Sequence, residues 1–422
     1  MEIFVPLIRY ICDMYLQFMN MYIYARYKPI DPVENPRRQS ADHTFISVSS
    51  KRARRLSIDP SPHLTAIARR LLATRITALQ EMRAPFCLLL IVGVLLLLRW
   101  PASSLASVQV ARTITVDQRG GGDYTTVQSA VDAVPDGNSQ WVKIYVKQGS
   151  YREKVIIPSD KGFILLEGDG SSSTDINFDS HVDDADAPGI APITGRLCGN
   201  LAEISPTYNS STFTVHSDNF VARNIAFKNT YTGNKPAVAF LMDGDKGAFY
   251  DCAFHGYQDT LSDLAGRHYF RHCLVEGAVD FIFGYGKSIY EDCTLQSNMA
   301  ASSQQPGWVT AHGRAADKSA AFVFKGGSIT GSGQQYLGRA WNEQATVVFY
   351  QVNMAGIVVP QGWDKWTPSQ DVSQVTFAEV GCSGPGSGTS GRVPWEKHMN
   401  NADVQSFVDI GFIDDGWLSN QP

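Results

Sequence analysis

Three cysteines, Cys252, Cys273 and Cys293, recur at intervals of 21 and 20 residues, each inside a short β-rich run of the same shape. The runs are AFYDCAF (248–254), HYFRHCLV (268–275) and SIYEDCTL (288–295); FVARNIAF (220–227), AFVFKGGSI (321–329) and VVFYQVNM (347–354) share their pattern. Each opens on aromatic or β-branched residues, passes through polar positions, sets Asn, Cys, Gly or Val at one phase, and closes on apolar residues. A period near twenty in short strands, with few helical segments between them, predicts a parallel β-helix, in which every coil buries its inward side chains against the next. A β-sandwich would turn about every 8–12 residues and has no reason to repeat one residue type at one phase. The three cysteines then form an inward stack of small apolar thiols rather than disulfides or a metal site, since no Cys-x-x-Cys occurs.

One helix precedes the coils. In TTVQSAVDAV, Val127, Ala130, Val131 and Val134 fall at i, i+3, i+4 and i+7, the spacing of a short amphipathic helix that Pro135-Asp136-Gly137 stops. WVKIYVKQG then alternates as a strand. The expectation is an all-β chain with a short N-terminal helix capping one open end of the coil and protecting its edge.

Charge divides the chain. The formal net charge is −5, with 36 Lys plus Arg against 41 Asp plus Glu, which gives no basic bias toward nucleic acid. Residues 1–81 hold twelve of the basic and seven of the acidic residues, so this basic extension is near +5 and the remainder near −10. Between them Phe86–Leu98 (FCLLLIVGVLLLL) is 13 residues long, shorter than the roughly 18 expected of a membrane span. With Arg83 before it and Ser104-Leu105-Ala106 after it, the run reads as a signal peptide over residues 82–106, with Met82 as initiator. A membrane anchor through residues 86–98, with the basic stretch RARR (52–55) on the cytoplasmic side, is the alternative. Cleavage after Ala106 leaves residues 107–422, with 22 basic and 34 acidic residues, near −12, and five of the seven cysteines.

The repeat also places chemistry. Asp259 lies seven residues after Cys252 and Asp280 seven after Cys273, so the two share one phase of consecutive coils. Adjacent strands are about 4.8 Å apart. Two carboxylates that close cannot both ionise freely, so one holds a proton while the other stays charged, which yields an acid and a nucleophile or base. Gln258 offers an amide donor to a developing oxyanion. Arg339, in LGRAW, is suited to hold one carboxylate bidentately, and Trp341 two residues on offers an aromatic face for a sugar ring. Taken singly, each of these residues reads as ordinary strand-end or ion-pair structure; the shared phase of the aspartates makes the set a candidate site.

At these residues the chain resembles the plant pectin methylesterases, or pectinesterases. GDYTTVQSAV (122–131), YQDTL (257–261), GAVDFIFG (277–284), LGRAW (337–341) and GWDKW (362–366) occur in family order from about Thr113 to Trp417. The resemblance implies a right-handed parallel β-helix and a secreted, cell-wall carbohydrate esterase that removes methyl groups from homogalacturonan as a monomer without cofactor. It implies Asp280 as nucleophile, Asp259 as acid then base, Gln258 as the oxyanion donor and Arg339 as the holder of Asp280. Thr212, Trp341 and Trp363 correspond to substrate-groove positions, and a proteinaceous pectinesterase inhibitor is an implied partner. Departures exist. Pro236 stands in PAVAF where the family commonly has a second glutamine, and His312 in TAHGR replaces another; His312 reads as a surface or groove polar residue. No helical inhibitor-like pro-region is expected.

Other signals carry less. GSGTSG (386–391) lacks the strand-turn-helix context of a nucleotide loop, no G-x-S-x-G elbow occurs, and HVDDADAPG (181–189) reads as a solvated acidic loop rather than a calcium site. Asn209-Ser210-Ser211 is a glycosylation sequon. A β-helical pectin-chain hydrolase or lyase, or a catalytically weak wall-binding β-helix, remain the alternative functions.

Overall fold

The twenty-residue period is the circumference of one coil. Gly247–Tyr250, Ala253–His255 and Leu261–Asp263 make one turn, and Arg267–Arg271, Leu274–Gly277 and Val279–Gly284 make the next. Each strand of a turn joins a different sheet, and the three sheets contain ten, eight and eight strands, all in parallel register among the described residues. The computed structural model describes residues 108–184, 206–314 and 319–422 as this right-handed parallel β-helix. The basic extension, the signal segment with its alternative anchor, Cys198 and the second half of the acidic loop lie outside the described residues.

A left-handed residue opens each corner between the ten-stranded sheet and the next, followed by a second one at Gly327. Asn224, Asp251, His272, Asp292, Gly326, Gln351 and Gly381 all have φ between 52° and 68°. This left-handed region clashes with an ordinary Cβ and is most readily occupied by Gly, Asn and Asp, which fill five of the seven corners. The residue after the corner points inward, and there stand Ile225, Cys252, Cys273, Cys293 and Val352, all buried. Cys382 follows Gly381 and takes the same phase, its Sγ 3.5 Å from the Phe349 carbonyl oxygen. The four are free thiols, and burial pushes Cys252 and Cys293 well above the ordinary thiol range.

Two residues before five of these corners sits the main stack of the core. Phe249, Phe270, Tyr290, Phe324 and Phe349 are register partners on successive strands. Their rings stack with centroids 4.5, 4.3, 4.7 and 4.5 Å apart. One polar tip is accommodated: the Tyr290 hydroxyl donates to Asp263 at 2.7 Å, and Asp263 also pairs with buried His268 at 2.6 Å. Burial alone would pull the His268 imidazole down, but Asp263 more than reverses this and holds it above its ordinary value.

Both ends of the described coil are closed. Val127–Asp132 forms the expected helix, with Thr126 as N-cap and Val127, Ala130 and Val131 buried. The Glu153 carboxylate accepts from the free Val127 and Gln128 amides at 2.8 and 2.9 Å, as a helix N-terminus favours. At the other end Trp395 packs on Phe377, and Arg392 pairs with buried Glu379. Asn401–Val408 then returns along the outer face of the ten-stranded sheet, where Val404, Val408 and Trp417 cover Leu165, Val221, Tyr269 and Val323.

Replacing Phe270 with Ala removes the middle of the stack and leaves a cavity between two rigid rungs, at an expected cost of about 3–5 kcal/mol. Thermal melting should show the loss as a clearly lowered midpoint. A midpoint within a degree of the parent chain would contradict the importance assigned to this ladder.

Candidate active site

The polar cluster lies on the outer face of the eight-stranded sheet in which Leu261–Asp263, Val279–Gly284, Gly307–His312, Gln335–Ala340 and Trp363–Lys365 are successive neighbours. Asp259 enters the first of these strands and Asp280 is the second residue of the next. Gln258 bridges Val279, and the Asp259 amide donates to the Val279 carbonyl at 3.0 Å, so the aspartates occupy consecutive rungs as their phase predicted. Both have a left-handed backbone, with φ of 62° at Asp259 and 47° at Asp280. A non-glycine residue in that region is strained, and such strain concentrates where a fold over-determines a functional side chain. Glycine brackets the Asp280 strand for steric reasons. A Cβ on Gly277 would lie 2.2 Å from Phe281 Cβ, and Gly284, at φ 133°, would bring one within 2.0 Å of the Asp263 carbonyl oxygen.

Arg339 reaches Asp280 from two rungs away. Its Nε donates to Oδ1 at 2.9 Å and its terminal nitrogen donates to Oδ2, a bidentate fork on a carboxylate that is 4% exposed. The guanidinium carbon lies over two indoles, 4.2 Å from the Trp308 ring centre and 4.1 Å from that of Trp366. Trp308 Nε1 donates to Asp364 at 3.1 Å.

Burial raises both carboxyls, and the neighbouring charges then separate them. Arg339 offsets part of the rise at Asp280, which stays above its ordinary value, whereas burial followed by the negative charge of Asp280 drives Asp259 well above the ordinary carboxyl range. The pair therefore carries its proton on Asp259 and its charge on Asp280.

Both carboxyls line one pocket of about 70 Å³, together with Thr207, Tyr208, Phe283, Ala311, Trp341 and Trp366. A wider groove of about 690 Å³ shares Trp341 and Trp366 and runs past Asn342, Gln344 and Gln370. Gln258 is half-buried directly beside Asp259. Asn209 ends the short helix Pro206–Asn209, next to the pocket residue Tyr208.

Three sequence readings change. Trp363 is not in the groove: it is 1% exposed and stacks on Phe377 at 4.5 Å inside the coil. In-register parallel partners share a face, so Trp363, opposite Gly338, points inward while Asp364, opposite Arg339, points outward. Trp366 leaves the strand and takes the groove position. Thr212 is fully buried, its hydroxyl donating to the Lys228 carbonyl at 3.1 Å, and Thr207 and Tyr208 face the pocket in its place. His312 is neither at the surface nor in the groove. It packs against Phe322, accepts from the Thr346 amide at 3.0 Å, and burial lowers its pKa to about 4. Tyr208, Phe283, Trp308 and Trp366 were missed as site residues; only the second tryptophan of GWDKW carried a signal, through the alternation that turns Trp363 inward.

Comparison with known proteins identifies the family and the fold. The pectinesterase family model matches residues 113–416. "Pectinesterase QRT1" of Arabidopsis thaliana is 40% identical over 319 residues, covering 74% of this chain and 80% of the relative. Among solved structures, the pectin methylesterase from carrot superposes with a TM-score of 0.66 at 31% identity, over 75% of this chain and 98% of that one. The Aspergillus niger pectin methylesterase follows at 0.62 and 27% identity, over 75% and 98%. Among the described residues no helix is long and apolar enough to cross a membrane. With the family model spanning almost the entire coil and relatives about 40% identical over most of it, the chain belongs to the pectinesterase family and is a pectin de-esterifying enzyme.

Proposed function

We propose that the chain hydrolyses methyl esters of homogalacturonan through an acyl-enzyme on Asp280. The observation that carries this reading is the asymmetry of the carboxyl pair: Arg339 directs both hydrogen bonds to Asp280, while Asp259, one rung away, is left to hold the proton. Asp280 Oδ attacks the ester carbonyl, and the carbonyl electrons move onto oxygen, where the Gln258 amide donates to the developing charge. Pro236 has no side-chain donor, so Gln258 has this role without the second glutamine of the family pattern. Collapse breaks the bond to methoxide, which takes the Asp259 proton and leaves as methanol. Asp259, now a carboxylate, removes a proton from water as its oxygen attacks the mixed anhydride. That step frees Asp280, reprotonates Asp259 and releases galacturonic acid, which gives its proton to solvent. Trp341 and Trp366 supply apolar faces for the sugar rings on either side of the pocket.

Asp280→Asn removes the nucleophile at nearly constant volume. Turnover should fall at least about a thousandfold, with melting and pectin binding retained. Methanol release and new reducing ends are measured together on methylated homogalacturonan. Unchanged methanol release by the variant would sink the mechanism, and reducing ends without methanol from the parent chain would replace the esterase by a chain-cutting enzyme.

The pH dependence follows from the same pair. Activity needs Asp280 charged and Asp259 protonated, so kcat/KM should be bell-shaped. It falls in acid as Asp280 gains a proton, and in alkali as Asp259 loses its own, the second limb lying well above the ordinary carboxyl range. A profile with no alkaline limb would remove Asp259 as the acid.

We also propose that residues 82–106 export the chain to the cell wall. N-terminal sequencing of protein recovered from the medium of expressing plant cells should begin near Ser107. A start near Met1 would overturn this.

A further inference from the structure

We infer that Trp308, steered by Asp364, is a positioning residue for Arg339 in the esterase reaction. The inference rests on the reading of Asp280 as nucleophile and goes beyond it to the groups that hold its partner. Four planar groups lie in a row of contacts along the outer side of the sheet. Tyr336 stacks on Trp308 with centroids 6.0 Å apart and planes 12° from parallel, the Arg339 guanidinium follows at 4.2 Å, and Trp366 closes the stack at 4.1 Å. Trp308 stands opposite Val279 in register, beside Asp280, and its one polar atom is tied to Asp364 at 3.1 Å. The two indoles do different things. Trp366 lines the substrate pocket and is 38% exposed, so it can meet a sugar. Trp308 is not among the residues that line that pocket, and its contact is with the guanidinium.

A guanidinium can rotate about its long stem, and a bidentate fork works only when its plane matches that of the carboxylate. Two indole faces within 4.2 Å restrict the planes open to the guanidinium and shield it from water, which strengthens the cation–π attraction. Asp364 prevents the Trp308 ring from turning edge-on. The fork on Asp280, which lines the pocket, is thereby held in one orientation. The effect is on the reacting carboxylate and not on sugar binding, so it belongs in kcat and not in KM.

The test uses the full chain and initial rates of methanol release from methylated homogalacturonan, with melting as a control on folding. Trp308→Leu keeps bulk and apolarity but has no π face. It should lower kcat about tenfold, the size of one desolvated cation–π contact, with KM changed by less than about twofold. Trp308→Phe restores a flat face and should recover kcat to within about threefold of the parent chain. In an Arg339→Lys background, where no plane exists to orient, Trp308→Leu should cost less than about threefold. Should Trp308→Leu fail to fold, Asp364→Ala carries the same test, lowering kcat with KM unchanged. A raised KM at constant kcat would make Trp308 a sugar platform and overturn the inference. So would equal losses for Leu and Phe, an undiminished loss in the Arg339→Lys background, or no loss at all. Asp280→Asn, assayed in parallel, separates the two levels: full activity there refutes the nucleophile, whereas its inactivity with an unaffected Trp308→Leu refutes the positioning role alone.

Discussion

Parallel strands stacked in register are the constraint on which everything else in this molecule depends. A β-helix coil has no interior of its own; each inward side chain is buried only because the same position one turn later carries a partner. The left-handed corners keep that register by fixing where every coil turns. With seven of them at nearly one conformation, the aromatic positions two residues earlier are superposed from Phe249 to Phe349. A one-residue slip would turn the ladder outward and the polar face inward, so the hydrophobic stack and the corner chemistry enforce the same alignment.

The active site draws on that alignment twice. Registry brings Asp259 and Asp280 onto neighbouring rungs, close enough that the charge of one holds the proton on the other. It also carries Arg339 to Asp280 across 59 residues of sequence, with the interposed strand supplying Trp308 to the guanidinium face. Rigid strands suit this purpose: a carboxyl pair whose separation drifted by an ångström would lose the electrostatic contrast that distinguishes acid from nucleophile. The left-handed backbone of both aspartates is tolerated because flanking rungs bond to the chain on either side.

Much of this was legible in the residues. The recurrence of Cys252, Cys273 and Cys293 announced the coil, the Val127–Val134 spacing announced the cap, and the common offset of seven residues announced the aspartate pair. The environment of single side chains was far less readable. Trp363 and Trp366 belong to one motif, yet the first is core and the second is groove, because only strand register says which pleat face each occupies. Thr212 sits beside a sequon and looks exposed, but the chain entering Phe213–Val215 has already turned inward. His312 resembled a polar groove residue, and burial against Phe322 makes it a neutral core imidazole instead.

The sequence by itself determined the periodic quantities: the coil length, the order of the strands, the residues sharing a phase and the membership in the pectinesterase family. These are linear properties, because one repeat maps onto one turn. Only the tertiary structure decided what crosses between turns or comes from outside the repeat. Tyr208 arrives from a short helix before its strand, Trp366 from beyond the end of one, and Trp308 from the strand interposed between those of Asp280 and Arg339. Their convergence on Asp280 and Arg339 depends on strand ends, loop paths and pleat direction, which are set by packing over the whole sheet and leave no period to read.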